Sequence, residues 1–207
     1  MGEGIHTIRQ KTDRSYLHDT DGGMNRQEAF KVNQLESRIR NRKTEKGYVV
    51  DSNGNVIAES IKGSRSAATF RKSDLAKAKD AILTHNHPNA EMGGTLAAQI
   101  GLPFSHTDLK GAVEYDIKEV RAATPNYTYS IRRPKGGWGD TREINRVLDQ
   151  WNADRNRNYY AYTNAPYRMY SDWRESWDRG NVVGQWQAWK DAVKKLGWTI
   201  TRKRVSS

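Results

Sequence analysis

Cysteine is absent from the 207-residue chain. That excludes a disulfide framework and any thiolate metal site, so a bound metal would have to be held by histidine and carboxylate. Phenylalanine is scarce, at three residues, and hydrophobic residues make up only 35% of the whole. The core must therefore be small, or leave segments lying on a partner. No apolar run nears the roughly 20 residues that span a bilayer, and the first residues hold no apolar stretch of the kind that marks a secretory signal. Neither a membrane span nor secretion through a signal peptide is expected. Acidic residues are also in deficit, at 24 against 35 Lys and Arg, a formal charge of +11. That excess favours polyanionic surroundings such as nucleic acid, an acidic partner or a DNA-filled interior. A soluble protein with one basic face has the same balance.

What is present divides into three stretches. Residues 1–24 show no sustained period and end in Gly-Gly, as an extended arm would; His6 and His18 lie in it and are expected at the surface. From Asn25 to about Lys43, Val32, Leu35 and Ile39 form a thin apolar helical stripe flanked by Arg38, Arg40, Arg42 and Lys43. The basic end is expected to be a solvated face. Asn53-Gly54 between two β-rich runs, G-Y-V-V and V-I-A-E, predicts a hairpin. Ile61 to Thr69 is small, polar and basic, and is expected as a loop. A short helix capped by Ser73 should follow, then a buried strand over Ala81–Thr84 that delivers His85 and His87. Asn89 to Pro103 is a glycine-containing insert. Ser105 starts a helix to about Tyr115 with Leu109, Ala112 and Val113 inward, and Val120–Ala123 and Tyr127–Arg132 read as two further strands.

After Asp140 the composition shifts. A helix is expected from Thr141 to about Asn156 on Ile144, Val147, Leu148 and Trp151. An Arg/Asn/Tyr mixture fills 155–173. A second helix carries Val182, Trp186, Trp189, Val193 and Leu196 on one side, before a short strand W-T-I-T and a basic tail. The tryptophan stripe reads as core or a docking face. Tyr159, Tyr160, Tyr162 and Tyr167 among Arg155, Arg157 and Arg168 could stack on single-stranded nucleic acid or meet a protein surface. The expected architecture is an α/β domain over about 25–139, a mixed central sheet flanked by helices. It has the arm 1–24 before it and a helical, Trp-rich extension, 140–207, after it.

The chemistry concentrates between Ile82 and Leu109. In an extended chain residues i and i+2 point the same way, so His85 and His87 leave the strand side by side. Asp108, in the first turn of the next helix, completes a set of two imidazoles and a carboxylate. Such a set holds zinc with a coordination position open for water, lowers the pKa of that water and polarises a carbonyl. Glu59, at an adjacent strand end, is the expected general base, with Glu91 and Glu114 as further carboxylates near in sequence. Ser105 could donate to the developing oxyanion. S-x-x-D is also a helix capping motif, and the two readings are compatible. His106 should point elsewhere on its turn.

Together E-S-I-K-G (Glu59 to Gly63), H-N-H-P (His85 to Pro88) and S-H-T-D (Ser105 to Asp108) resemble the motif of the JAMM (JAB/MPN) metalloproteases, and RadC-type proteins carry a similar E-x-x-x-G and H-N-H-P. The resemblance covers roughly Lys46 to Gly139. It implies that His85, His87 and Asp108 bind zinc, that Glu59 is the acid/base and Ser105 the oxyanion donor, and that a peptide or isopeptide bond is cut. The stretch Pro88–Phe104 is longer than the family usually has there. The flavour of T-H-N-H-P, F-S-x-x-D, E-V-R-A-A-T-P and P-K-G-G-W looks most like domains attached to bacteriophage minor head and head-morphogenesis proteins. That implies a virion or host-cytoplasmic setting, phage structural proteins as partners and contact with DNA through the basic surface. The competing expectation is a non-enzymatic virion component that keeps the fold as a scaffold; a third is a nucleic-acid-binding module.

Overall fold

The computed structural model describes residues 23–64, 67–88, 104–163 and 185–205. Most of the expected arm, the insert 89–103 and the Arg/Asn/Tyr stretch from 164 lie outside the described residues.

Helix α1 (Arg26–Ile39) starts at a capping box: the Asn25 side chain accepts from the amides of Gln27 and Glu28, and the Glu28 carboxylate accepts from the Asn25 amide at 2.7 Å. Strands β1 (Gly47–Val50) and β2 (Val56–Glu59) form the hairpin that Asn-Gly announced. Gly54 sits at φ 78, a region that costs a side chain strain. The expected loop after β2 is instead a small hairpin, β3 (Lys62–Gly63) with β4 (Ala68–Thr69). Its strands are too short to show a period, and backbone bonds from Ile61 to Thr69 and from Ser64 to Ala67 define it. Helix α2 (Lys72–Leu75) is one turn and begins earlier than expected, so Ser73 lies inside it and Arg71 stands at its N-cap without a side-chain bond.

Strand β5 (Ile82–Asn86) is buried throughout. Helix α3 (His106–Glu114) crosses back to β6 (Glu119–Ala123), which pairs with β5 in parallel. Strand β7 (Tyr127–Arg132), helices α4 (Thr141–Thr163) and α5 (Gln185–Lys195) and strand β8 (Ile200–Arg204) follow. Among the described residues the main sheet has six strands in the order β2-β1-β5-β6-β7-β8, antiparallel except at β5/β6. The α/β class and the mixed sheet flanked by helices are as the sequence pattern predicted. Arg202 to Arg204, expected as a basic tail, belong to β8 because their backbone pairs with Tyr127–Tyr129.

Register assigns every strand residue to a face, because directly paired residues point to the same side. Val49, Leu83, Val120, Ala122, Tyr129 and Ile131 enter the larger core under α3, α4 and α5. The described part of the 140–207 stretch shares that core. Trp138 donates to the Ile117 carbonyl at 3.0 Å, Trp189 to that of Phe104 at 3.1 Å and Trp198 to that of Trp138 at 3.2 Å. On the opposite face α1 lays Val32 and Leu35 on Val50 and Ile82.

That second face also buries charge. The Arg121 guanidinium bonds Glu36 at 2.6 Å and Glu119 at 2.7 Å, Arg132 bonds Glu119 at 3.0 Å, and Thr84 donates to Glu36 at 3.0 Å. Arg40, read from the sequence as part of a solvated basic face, is half-buried and donates to the Thr124 carbonyl at 2.6 Å. Burial alone would raise the Glu36 pKa, but the charge and hydrogen bond of Arg121 outweigh it and hold the carboxyl below its ordinary value.

Candidate metal centre

The site lies where β5 ends and α3 begins. Four consecutive apolar or small residues, Ala81 to Thr84, bury the strand, and the chain then carries His85 and His87 onward in near-extended form. Their Nε2 atoms approach to 2.9 Å. The parallel partner β6 steadies this end, since the His87 amide donates to the Ala123 carbonyl. At α3, Ser105 is the N-cap and Asp108 the third helical residue of a capping box. The Ser105 amide and hydroxyl both donate to Asp108 Oδ2, at 2.6 and 2.8 Å, and the hydroxyl accepts from the Asp108 amide at 3.2 Å. The cap thereby fixes the carboxylate, whose Oδ1 stands 3.5 Å from His85 Nε2 and whose Oδ2 stands 3.7 Å from His87 Nε2.

His85, His87 and Asp108 thus form a group that could hold a metal ion. Ligands about 2.0–2.1 Å from a tetrahedral ion stand roughly 3.3 Å from one another, and separations of 2.9, 3.5 and 3.7 Å bracket that edge. The donor set suits a borderline cation such as Zn2+. His85 Nδ1 is buried without a hydrogen-bond partner, so this imidazole lacks the outer contact that often orients a metal-bound histidine. Burial opposes ionisation of Asp108, but the charges and hydrogen bonds of the two histidines prevail and keep its pKa well below the usual carboxylate value.

No family model, no curated protein and no solved structure matches the chain.

The acid/base candidate requires a correction. Glu59 is paired with Tyr48, and Tyr48 with Thr84, whose side chain bonds Glu36 of α1. Glu59 therefore stands on the α1 face, opposite His85, where it is 56% exposed and ion-paired with Lys46. The structure does not bring it to the three-residue group. A carboxylate that sequence reasoning passed over takes the place beside them. Gly47 pairs with His85, and one step on, the Asn86 amide donates to the Lys46 carbonyl at 3.1 Å. The same alternation sets Glu45 opposite His87, on the His85 face. Glu45 is buried at 8% exposure. Burial pushes its carboxyl up; the two histidines and a hydrogen bond from the Ala68 amide pull it down, and Asp108 pushes it up further. In the sequence the only signal was its position two residues ahead of Gly47, legible once the β1–β5 register is known.

Ser105 gives its hydroxyl proton to Asp108, so support of an oxyanion would require the hydroxyl to turn. His106 packs its ring 6.3 Å from that of Trp151. Glu114 ends α3, away from its first turn, and Glu91 lies outside the described residues.

Proposed function

We propose that the protein is a zinc-dependent hydrolase of the JAMM type that cleaves a peptide or isopeptide bond, with Glu45 rather than Glu59 as its acid/base. The observation that supports it most is the convergence of His85, His87, Asp108 and a buried glutamate at one sheet end. The resemblance of H-N-H-P and S-x-x-D to the JAMM motif, in that order, supports it independently. His85, His87 and Asp108 would hold the ion, which when bound lowers the pKa of a water and polarises a carbonyl. Glu45, its carboxyl raised by burial, accepts a proton from the attacking water and passes it to the leaving amine. Ser105 anchors Asp108 and, if its hydroxyl turns, supports the carbonyl oxygen as charge develops there. The likeness of neighbouring residues to phage head-associated domains supports a virion or host-cytoplasmic setting, with phage structural proteins as partners and DNA near the basic surface.

The first test is the metal content of protein purified without added metal, beside a His85→Ala/His87→Ala variant. About one zinc per chain, lost in the variant, is expected. Metal-free wild type that also takes up none on dialysis against zinc sinks the reading. On a peptide or isopeptide library, Glu45→Gln should keep the metal and lose about 100-fold or more of turnover, while Glu59→Gln should retain it. The reverse pattern would return the role to Glu59.

A further inference from the structure

The residue between the two histidines, Asn86, has no polar atom to spare. It is fully buried and its side chain points away from the metal face. Its Oδ1 accepts from the Lys46 amide at 2.7 Å, and its Nδ2 donates to the carbonyls of Thr44 at 3.2 Å and Arg42 at 3.5 Å. All three partners are backbone groups of one segment, and they flank Glu45. The other side of that segment is held by the β3–β4 hairpin. The Glu45 amide donates to the Ser64 carbonyl at 2.7 Å, and the Ala68 amide bonds the Glu45 carboxylate. Gly63 presses against the Glu45 carbonyl so closely that a Cβ built on it would lie 1.8 Å from that oxygen. Real side chains essentially never come so near backbone, so the hairpin can seat here only with glycine at 63.

We propose that Asn86 and Gly63 are positioning residues for Glu45: Asn86 ties the segment 42–46 to the strand that carries both histidines, and Gly63 lets the β3–β4 hairpin close on it from the other side. The inference rests on the reading of Glu45 as the acid/base. It assigns to the Asn of H-N-H-P a duty separate from ligation. The histidines fix where the ion sits, and the asparagine fixes where the carboxylate stands relative to it. A lost bond here leaves partly buried backbone groups of the segment without the partner that ties them to β5, which frees the segment to move.

The test uses the full chain as wild type, Glu45→Gln, Asn86→Ser and Gly63→Ala, each loaded with cobalt(II) alone. Cobalt absorbs in the visible according to its ligands and their surroundings. Hydrogen exchange at the amides of residues 44–46 is followed in parallel. All four should bind one equivalent, since His85, His87 and Asp108 are intact. The spectra of Asn86→Ser and Gly63→Ala should move from that of wild type toward that of Glu45→Gln, and exchange at Lys46 should rise about tenfold in Asn86→Ser. If Asn86→Ser does not fold, Gly63→Ala, away from the core, carries the same comparison. An Asn86→Ser spectrum equal to wild type with unchanged exchange overturns the proposal, and so does loss of cobalt in that variant, which would make Asn86 a support for the ligands. If wild type binds no cobalt, the hydrolase reading fails instead. That result is recognisable because the exchange data still report whether Asn86 holds the segment.

Discussion

On the α1 face of the sheet, Arg121 is enclosed by Glu36 and Glu119, Arg132 reaches Glu119, and Lys118 pairs with Glu28. On the other face, Glu45 and Asp108 are gathered beside two imidazoles, and among the described residues no Lys or Arg pairs with either carboxylate. Both arrangements take charge out of water, which is costly unless the charge is compensated. The first answers each carboxylate with a fixed cation in β6, β7 or the residue just before β6, and so locks α1 to the sheet. The second collects two carboxylates and two imidazoles with no Lys or Arg partner among the described residues, a pattern that a divalent cation would complete. Comparing the two separates a charge cluster that serves the fold from one that suits a ligand.

The largest expected effect breaks the first cluster. Arg121→Ala takes from buried Glu36 its ion-pair partner and leaves Glu119 with Arg132 alone, and should cost about 3–5 kcal/mol in urea denaturation. Asp108→Asn in metal-free buffer keeps a polar group at its helix position and should cost only about 1 kcal/mol. Equal losses would mean that both clusters serve the fold alike.

The next effect is in pH. The Glu36 carboxyl is held below its ordinary value of 4.5. Its contribution to stability is therefore fully present above that value and is lost as pH falls through the depressed one. Wild type should lose stability as pH falls below that ordinary value, and Glu36→Gln should flatten that part of the profile. An unchanged slope would place the acid sensitivity elsewhere.

Smallest is the cap. Ser105→Ala removes the acceptor for the Asp108 amide and one of the two donors that Ser105 gives its carboxylate, and should lower stability by about 1 kcal/mol. It should weaken metal binding modestly, because the Ser105 amide still holds Asp108 Oδ2. A zinc titration followed by thermal unfolding measures both.

The grouping of His85, His87 and Asp108 was legible because its determinants are local. H-x-H at a strand end and S-x-x-D at a helix start each need only the geometry of one element. The Asn-Gly hairpin was readable for the same reason, whereas the cap expected of Ser73 was not found, since α2 starts after Arg71. Glu45 was not, since its claim depends on which strand lies beside β1 and in what register, and Glu59 differs from it in sequence mainly by standing at the end of a recognisable strand. The buried charges were hidden likewise. Glu36, Arg40 and Arg121 look like surface residues until α1 and β6 are brought together. The β3–β4 hairpin, four paired residues in a polar stretch, carries no periodicity at all.

The parallel pair of β5 with β6, the single one among the described residues, has a consequence for how the molecule can vary. Its crossover passes from His87 to Ser105, and the candidate ligands stand at both ends of that passage, each fixed by its own strand or helix cap. The chain between can therefore change length with its ends held in register. Doubling such a connection costs only about 0.6 kcal/mol of closure entropy, so lengthening or replacing 89–103 should leave the geometry of His85, His87 and Asp108 intact.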